Sequence, residues 1–234
     1  MSTIKAVLFD KDGTLVDVME TWFPVYVDML RGFDGNSEEE AVSRMIAGGY
    51  IPETHNFEAG SMLAAGTPDQ MVDTWWPHLK GVERNERIQA ADDFCGEKSM
   101  DYVKELLPLQ PLFAQLKSSG FKLGIATNDN EASAVQQMDY LGVAEHVDVV
   151  LGFDSVENPK PAGDMVHAFC RKTGLNPENV AMVGDNSHDM MCARDARAGL
   201  AVGVLSGNSS REDLYHLADV VIDDVSALHE VLQR

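Results

Sequence analysis

The chain has 234 residues, of which 38 are acidic and 18 basic, so its formal net charge at pH 7 is -20. A surface this negative repels nucleic acid and anionic membranes, so we expect neither as a partner. Three widely spaced cysteines without a C-x-x-C pair argue against a disulfide framework and a zinc site, and no apolar run approaches about 18 residues, so we expect a soluble, cytoplasmic protein.

The chain begins with a short apolar run, Ala6 to Phe9, which ends abruptly in Asp10-Lys11-Asp12-Gly13-Thr14. Such a run is typical of a strand that is buried on both faces of a parallel sheet. The carboxyl end of such a strand is where α/β proteins bind ligands. Two acids at this spacing point to the same side if both stay extended, and a cation would relieve their repulsion. The stretch therefore predicts a metal site with catalytic acids.

Residues 18 to 91 show helical periodicity and no clear strand. Apolar residues from Met19 to Phe33 recur at spacings of three and four, which predicts a helix. Pro24 fits that helix only within its first turn, or else introduces a kink. Capping signals at residues 37–40 and 67–70 predict two further helices. The whole segment is therefore predicted to be an all-helical insertion.

From Leu109 onward, apolar strands alternate with helical segments. The predicted strands are residues 121–126, 147–153, 180–183, 200–205 and 220–222. This alternation predicts an α/β fold with a Rossmann-like, doubly wound parallel sheet. We expect residues 1–17 and 92–234 to form the catalytic core and residues 18–91 a helical cap. Residues 84–104 have no readable pattern and should carry the chain back to the core.

Three later predicted strands also end in polar residues. Thr127 and Asn128 supply a hydroxyl, an amide and free backbone N–H groups, which suit a phosphate. Lys160 lies between two prolines in a stiffened loop and can act as a point charge on a phosphate. Asp185 and Asp189 lie near one face of a helix that begins there. The strand ends together predict a site for a phosphate and a metal.

These motifs resemble those of the haloacid dehalogenase-like superfamily, in the phosphoglycolate phosphatase-like branch whose helical cap follows the first motif. Four motifs occur in the expected order. They are Asp10-x-Asp12-Gly13-Thr14, Thr127-Asn128, Lys160-Pro161, and Gly184-Asp185 with Asp189. The resemblance covers essentially the whole chain, and each motif ends an apolar strand, so the four together are specific.

The resemblance implies a phosphatase that uses Mg²⁺ and hydrolyses a small phosphomonoester, phosphoglycolate or similar. Asp10 would be the nucleophile that forms an aspartyl-phosphate. Asp12 would protonate the leaving alcohol and then deprotonate the attacking water.

The resemblance also implies which residues bind the metal and the phosphate. Mg²⁺ would be held by the carboxylates of Asp10 and Asp185 and the backbone carbonyl of Asp12. Asp189 would support this site. The phosphoryl oxygens would be bound by Thr127, the backbone N–H of Asn128, and Lys160.

Other functions are compatible with parts of the pattern. A dehalogenase releases a halide and needs no acid at Asp12, so Asp12 disfavours it. A non-catalytic phosphate- or metal-binding protein should have lost Asp10 or Asp12, and a phospho-receiver domain is about half this length without a cap. A sugar-phosphate mutase of the same superfamily would keep both aspartates, and it stays open beside the hydrolase.

Several features leave the substrate open. Lys11 occupies a position where many relatives carry an apolar residue, and we expect its side chain to point away from the two aspartates, toward the cap or the substrate. Trp22, Trp75 and Trp76 are interpreted as cap core. The candidates for binding a substrate carboxylate are Arg31, Arg44, Lys80, Arg84 and Arg87. The oligomeric state is not predicted.

Overall fold

The structure is a computed structural model that describes residues 4–233, and in that part of the chain six parallel strands form one sheet. The strands are β1 (Ala6–Phe9), β4 (Lys122–Ala126), β5 (Val149–Leu151), β6 (Val180–Gly184), β7 (Leu200–Val204) and β8 (Val220–Ile222). Their order is β5-β4-β1-β6-β7-β8. The chain thus leaves β1 in both directions across the sheet, which places the topological switch point, where α/β folds bind ligands, beside β1.

Helices cover both faces of this sheet. They are α6 (Leu109–Ser118), α7 (Glu131–Tyr140), α8 (Asp164–Thr173), α9 (Ser187–Asp195), α10 (Arg211–Tyr215) and α11 (Leu228–Leu232). Because successive strand residues point to opposite faces, Leu8 packs in the same cluster as Phe169, whereas Phe9 stacks on Phe113 at 5.3 Å. The predicted α/β fold with a doubly wound parallel sheet is confirmed.

A third apolar cluster lies between β1 and α6 in the chain. Its helices are α1 (Val18–Asp34), α2 (Glu38–Met45), α3 (Met62–Ala65), α4 (Pro68–Trp75) and α5 (Gly81–Ser99). The prediction that this segment is entirely helical is wrong, because strands β2 (Tyr50–Ile51) and β3 (Asn56–Phe57) pair antiparallel. Two-residue strands are too short to show the alternation that identifies a strand.

Helix α1 begins earlier than expected from the position of Pro24, which fits most easily in the first turn of a helix. It starts at Val18, where the Asp17 side chain accepts a hydrogen bond from the Glu20 backbone N–H at 3.0 Å. Pro24 therefore lies in the second turn rather than the first. The missing proline N–H is outweighed by the cap at Asp17 and by the packing of the helix, since most helix stability in proteins comes from tertiary contacts.

Residues 84–104 are mostly helical rather than a crossing segment. Helix α5 is largely polar. It buries only about one residue per helical turn in its C-terminal half, namely Ala91, Cys95 and Ser99. That thin stripe explains why the sequence shows no clear pattern. The expected boundary between residues 91 and 92 lies inside this helix, so the division into core (1–17, 92–234) and cap (18–91) stays a prediction. Residues 1–3 and 234 lie outside the described residues.

The cysteines behave as small apolar residues. Cys95, Cys170 and Cys192 are all free and buried. Burial raises the pKa of the Cys192 thiol to about 12, which keeps it protonated and unreactive. Between residues 4 and 233, no helix combines the length and apolar character that crossing a membrane requires.

Candidate active site

The predicted site residues follow the carboxyl ends of four neighbouring strands. Asp10 directly follows β1, Thr127 follows β4, and Asp185 follows β6. Lys160 lies in the loop after β5, and Asp189 lies in the first turn of α9. Because parallel strands end at one edge of the sheet, the fold brings these side chains together. Their catalytic roles stay predictions.

The ammonium group of Lys160 lies between two carboxylates. Its Nζ donates to Oδ1 of Asp10 at 2.5 Å and to Oδ1 of Asp189 at 2.7 Å, and all three residues are buried. Burial opposes the lysine charge, but the two carboxylates outweigh it and raise the pKa of Lys160. Burial, followed by the Asp189 charge, raises the pKa of Asp10 to about 7. A further cation would therefore favour the ionised, nucleophilic form of Asp10.

Three buried carboxylates form a cluster that suits such a cation. Asp10, Asp185 and Asp189 each offer an oxygen within 4.8 Å of the others. Among the described residues, Oδ1 of Asp185 is buried with no hydrogen-bond partner, while its Oδ2 accepts from the backbone N–H of Asn208 at 3.0 Å. Burial, followed by the Asp10 charge, raises the pKa of Asp185 well above its usual range. The unpaired oxygen and the all-oxygen donor set fit Mg²⁺.

Two glycines allow Asp185 to occupy this position. Gly13 has a φ of +84°, and a Cβ there would lie 2.5 Å from Cγ of Asp185. A Cβ at Gly207 would lie 2.0 Å from Oδ2 of the same side chain. The glycine of the first motif therefore serves both the turn and the close approach of a carboxylate, which any larger residue would block.

Replacing Asp185 with alanine is expected to weaken activation by Mg²⁺ sharply, because it removes one of the three clustered carboxylates. We expect the Mg²⁺ concentration for half-maximal activity to rise at least about tenfold, as for other losses around metal ligands. A magnesium titration of the purified variant measures this. Asp101→Ala, at a carboxylate that is 61% exposed, is the matched control. An unchanged titration of Asp185→Ala would remove this residue from the metal site.

The carboxylate of Asp12 is held by two groups that the sequence did not predict. Lys11 Nζ donates to Oδ1 of Asp12 at 2.8 Å, and the indole N–H of Trp22 donates to the same oxygen at 2.6 Å. Thr127 lies on the other side, with its hydroxyl 3.5 Å from Oδ2. Trp22 thus belongs to the third apolar cluster, in agreement with its interpretation as a core residue of the cap. It also reaches into the site from α1.

The expected orientation of Lys11 is wrong. Rather than pointing away from both aspartates, its side chain contacts Asp12, and it is completely buried. Nζ also donates to Oε1 of Gln137 at 2.8 Å and lies 3.3 Å from Oδ2 of Asp129. Gln137 in turn donates to the Ser99 hydroxyl at 2.9 Å. A buried lysine requires partners of this kind, and they come from the loop after β4 and from α7, which no local pattern connects to Lys11.

Asn128 connects the core to the cap. Its Nδ2 donates to the carbonyl oxygen of Ala65 at 2.9 Å and to that of Lys160 at 3.0 Å. The sequence assigned a phosphate role to its backbone N–H, which stays a prediction. His188, which received no role, also interacts with the backbone of Ala65, and burial lowers its pKa. Both side chains therefore hold the C-terminal end of α3 over the site.

The five cap cations that were candidates for binding a substrate carboxylate lie away from the site. Arg44 donates to Asp34 and stacks on Trp76, and Arg87 lies 4.6 Å from the centre of the same ring. Arg84 pairs with Asp73 at 2.7 Å. Arg31 and Lys80 are exposed. Within residues 4–233, none of these five side chains lines the cavity between cap and core.

The fold and the site define a class of protein: an α/β enzyme with a buried carboxylate cluster, suited to a metal ion, at the switch point of its sheet. The family model for haloacid dehalogenase-like hydrolases matches residues 4–197 of this chain. The chain therefore belongs to the haloacid dehalogenase-like hydrolase family, as its motifs predict.

Relatives and solved structures agree with this assignment. The chain is 30% identical over 232 residues to a "Probable phosphatase IndB" of Dickeya dadantii, with 97% of this chain and 94% of that protein covered. It is 30% identical over 247 residues to a "Phosphoglycolate phosphatase" of Neisseria meningitidis, covering 98% and 94%. A solved structure described as a predicted phosphoglycolate phosphatase from Haemophilus somnus superposes with a TM-score of 0.74 at 21% identity, covering 99% of both chains. The last similarity supports the fold alone.

Proposed function

We propose that this chain is a phosphatase that uses Mg²⁺ and hydrolyses a small phosphomonoester through an aspartyl-phosphate on Asp10. The observation that carries the proposal is the arrangement around Asp10. Its carboxylate lies 2.5 Å from the buried ammonium of Lys160 and belongs to a cluster with Asp185 and Asp189 whose oxygens suit a cation. The relatives of this chain that are named as phosphatases support phosphate-ester hydrolysis as the class of reaction.

In the first step an oxygen of Asp10 attacks phosphorus, and the bond from phosphorus to the alcohol oxygen breaks. Asp12, in its protonated form, gives its proton to the departing alkoxide. The carboxylate and the phosphate repel each other, so Lys160 lowers the barrier by placing a positive charge beside both. Bound Mg²⁺ would add charge neutralisation at the cluster of Asp10, Asp185 and Asp189.

In the second step Asp12, now ionised, accepts a proton from water. The water oxygen attacks phosphorus, and the bond from phosphorus to Asp10 breaks, which regenerates the Asp10 carboxylate and releases phosphate. Lys11 and Trp22 hold Asp12 in place through both steps: the indole N–H of Trp22 donates to Oδ1, and Nζ of Lys11 lies 2.8 Å from each of the two carboxylate oxygens.

The proposal is tested by phosphate release from a panel of phosphomonoesters, phosphoglycolate included, with Mg²⁺ and with a chelator. We expect release with Mg²⁺ and its loss with the chelator, restored by added Mg²⁺. Equal release in both conditions would contradict the metal requirement, and no release from the folded protein would contradict hydrolysis. Interconversion of phosphosugars, tested in parallel, would instead favour the mutase. A cytoplasmic location stays a prediction.

A further inference from the structure

The cavity between cap and core has two chemically different ends. The core end is lined by Asp10, Asp12, Asp189 and Lys160. The cap end has apolar walls, which come from Val18, Trp22, Tyr26, Leu63, Met71 and Cys95. The cavity is partly open to solvent and has a volume of about 70 Å³. Under the proposed reaction the phosphate occupies the core end, so the alcohol part of the substrate lies against the apolar walls.

Positive charge is confined to the core end of this cavity. In the part of the chain that the structure describes, Lys160 is the one lysine or arginine that lines it, and its ammonium is already bound to Asp10 and Asp189. Lys11 is completely buried behind Asp12. His188 also lines the cavity, where it interacts with the backbone of Ala65.

Negative charge, by contrast, extends toward the cap end. Asp92 from α5 and Asp129 from the loop after β4 both line the cavity. The negative charge of Asp129 is compensated by the ammonium of Lys11 at 3.3 Å. Asp92, by contrast, accepts a hydrogen bond from the uncharged side-chain amide of Asn130 at 2.9 Å. Burial, followed by the nearby Asp129 charge, raises the pKa of Asp92. An added negative charge here would meet carboxylates in an apolar surrounding, where like-charge repulsion is strong.

We infer that the substrate is the phosphate ester of a small alcohol that carries no second anionic group, being either neutral or an amine. This inference rests on the proposed phosphatase function and narrows it. A carboxylate or a second phosphate on the alcohol would require a cation at the cap end. Arg44, Arg84 and Arg87 bind Asp34, Asp73 and Trp76 instead, and the exposed Arg31 and Lys80 do not line the cavity. An ammonium group, in contrast, would be attracted by Asp92.

The test compares three esters of similar size: ethanolamine phosphate, n-propyl phosphate and phosphoglycolate, with the full chain and Mg²⁺. We expect kcat/KM for ethanolamine phosphate and n-propyl phosphate to exceed that for phosphoglycolate by at least about 30-fold, because like charges brought together discriminate strongly. p-Nitrophenyl phosphate, whose leaving group needs little protonation to depart, reports the basal phosphatase activity. A kcat/KM for phosphoglycolate equal to or above the other two would overturn the inference and leave the phosphatase intact.

The variant Asp92→Asn tests the origin of this preference. It should reduce the ratio of ethanolamine phosphate to phosphoglycolate in kcat/KM at least about fivefold, since the amide keeps the shape and loses the charge. Asp93→Asn is the matched control, because Asp93 is the exposed neighbour on the same helix. An unchanged ratio in Asp92→Asn would overturn the role of Asp92. Absence of turnover of all four esters would overturn the proposed function itself, and the inference with it.

Discussion

Replacing Asp10 with asparagine is expected to abolish turnover, with a fall in kcat of at least about 1,000-fold, as for other covalent nucleophiles. The amide is neutral and cannot form the acyl phosphate. Single-turnover mixing with labelled substrate, followed by acid quenching, should trap a phosphorylated protein in the wild type and none in Asp10→Asn. Turnover like that of the wild type would end the assignment of Asp10 as nucleophile.

The same variant should remain folded. Burial and Asp189 raise the pKa of Asp10 to about 7, far above its ordinary value of 3.8, so at higher pH the ionised carboxylate destabilises the native state. Lys160 keeps Asp189 as a partner at 2.7 Å. In chelator at pH 8 the unfolding temperature of Asp10→Asn should therefore be no lower than that of the wild type. Asp223→Asn, at a carboxylate that is 91% exposed, is the control for both measurements.

The parts that the sequence predicts well share one physical property. β1, β4 and β6 are apolar runs that end in polar residues, and both features are local. Parallel strands end at one edge, so local runs suffice to predict that Asp10, Thr127 and Asp185 lie together. The loop residue Lys160 required the resemblance as well.

The parts that the sequence misses depend on tertiary contacts. Helix α5 buries only a narrow stripe, and β2 and β3 have two residues each, so neither produces a readable period. Lys11 was placed by strand alternation, which would direct it away from Asp10 and Asp12. The chain turns directly after β1, however, with Gly13 at a φ of +84°, and alternation no longer applies there. The partners of Lys11, Asp129 in the loop after β4 and Gln137 on α7, then determine where its ammonium lies.

Replacing Lys11 with methionine is expected to have the second large effect, on both stability and activity. Methionine keeps most of the buried volume but leaves Asp12 and Asp129 without their cation. Removing one partner from a buried ion pair costs about 3–5 kcal/mol, so the free energy of unfolding should fall by about that amount. Urea unfolding measures it. Lys122→Met is the matched control, because Lys122 is exposed and its ammonium donates to the carbonyl oxygen of Thr173.

The kinetic effect should separate positioning of Asp12 from general damage to the fold. Lys11 touches Asp12 and is completely buried, so kcat should fall about 100-fold, the cost of a misplaced catalytic group, while KM stays within about threefold. The fall in kcat/KM, which reports the first step, should be large for an alkyl phosphate, whose alkoxide must be protonated, and small for p-nitrophenyl phosphate, whose leaving group departs unaided. An equal fall in kcat/KM for both esters is expected if Lys11 serves only the fold or the phosphate, and that result would contradict its role beside Asp12. Asp12 gives its proton in the first step, where the two esters differ, and takes a proton in the second step, which is the same for both, so a lysine fixed behind Asp12 separates the esters in kcat/KM.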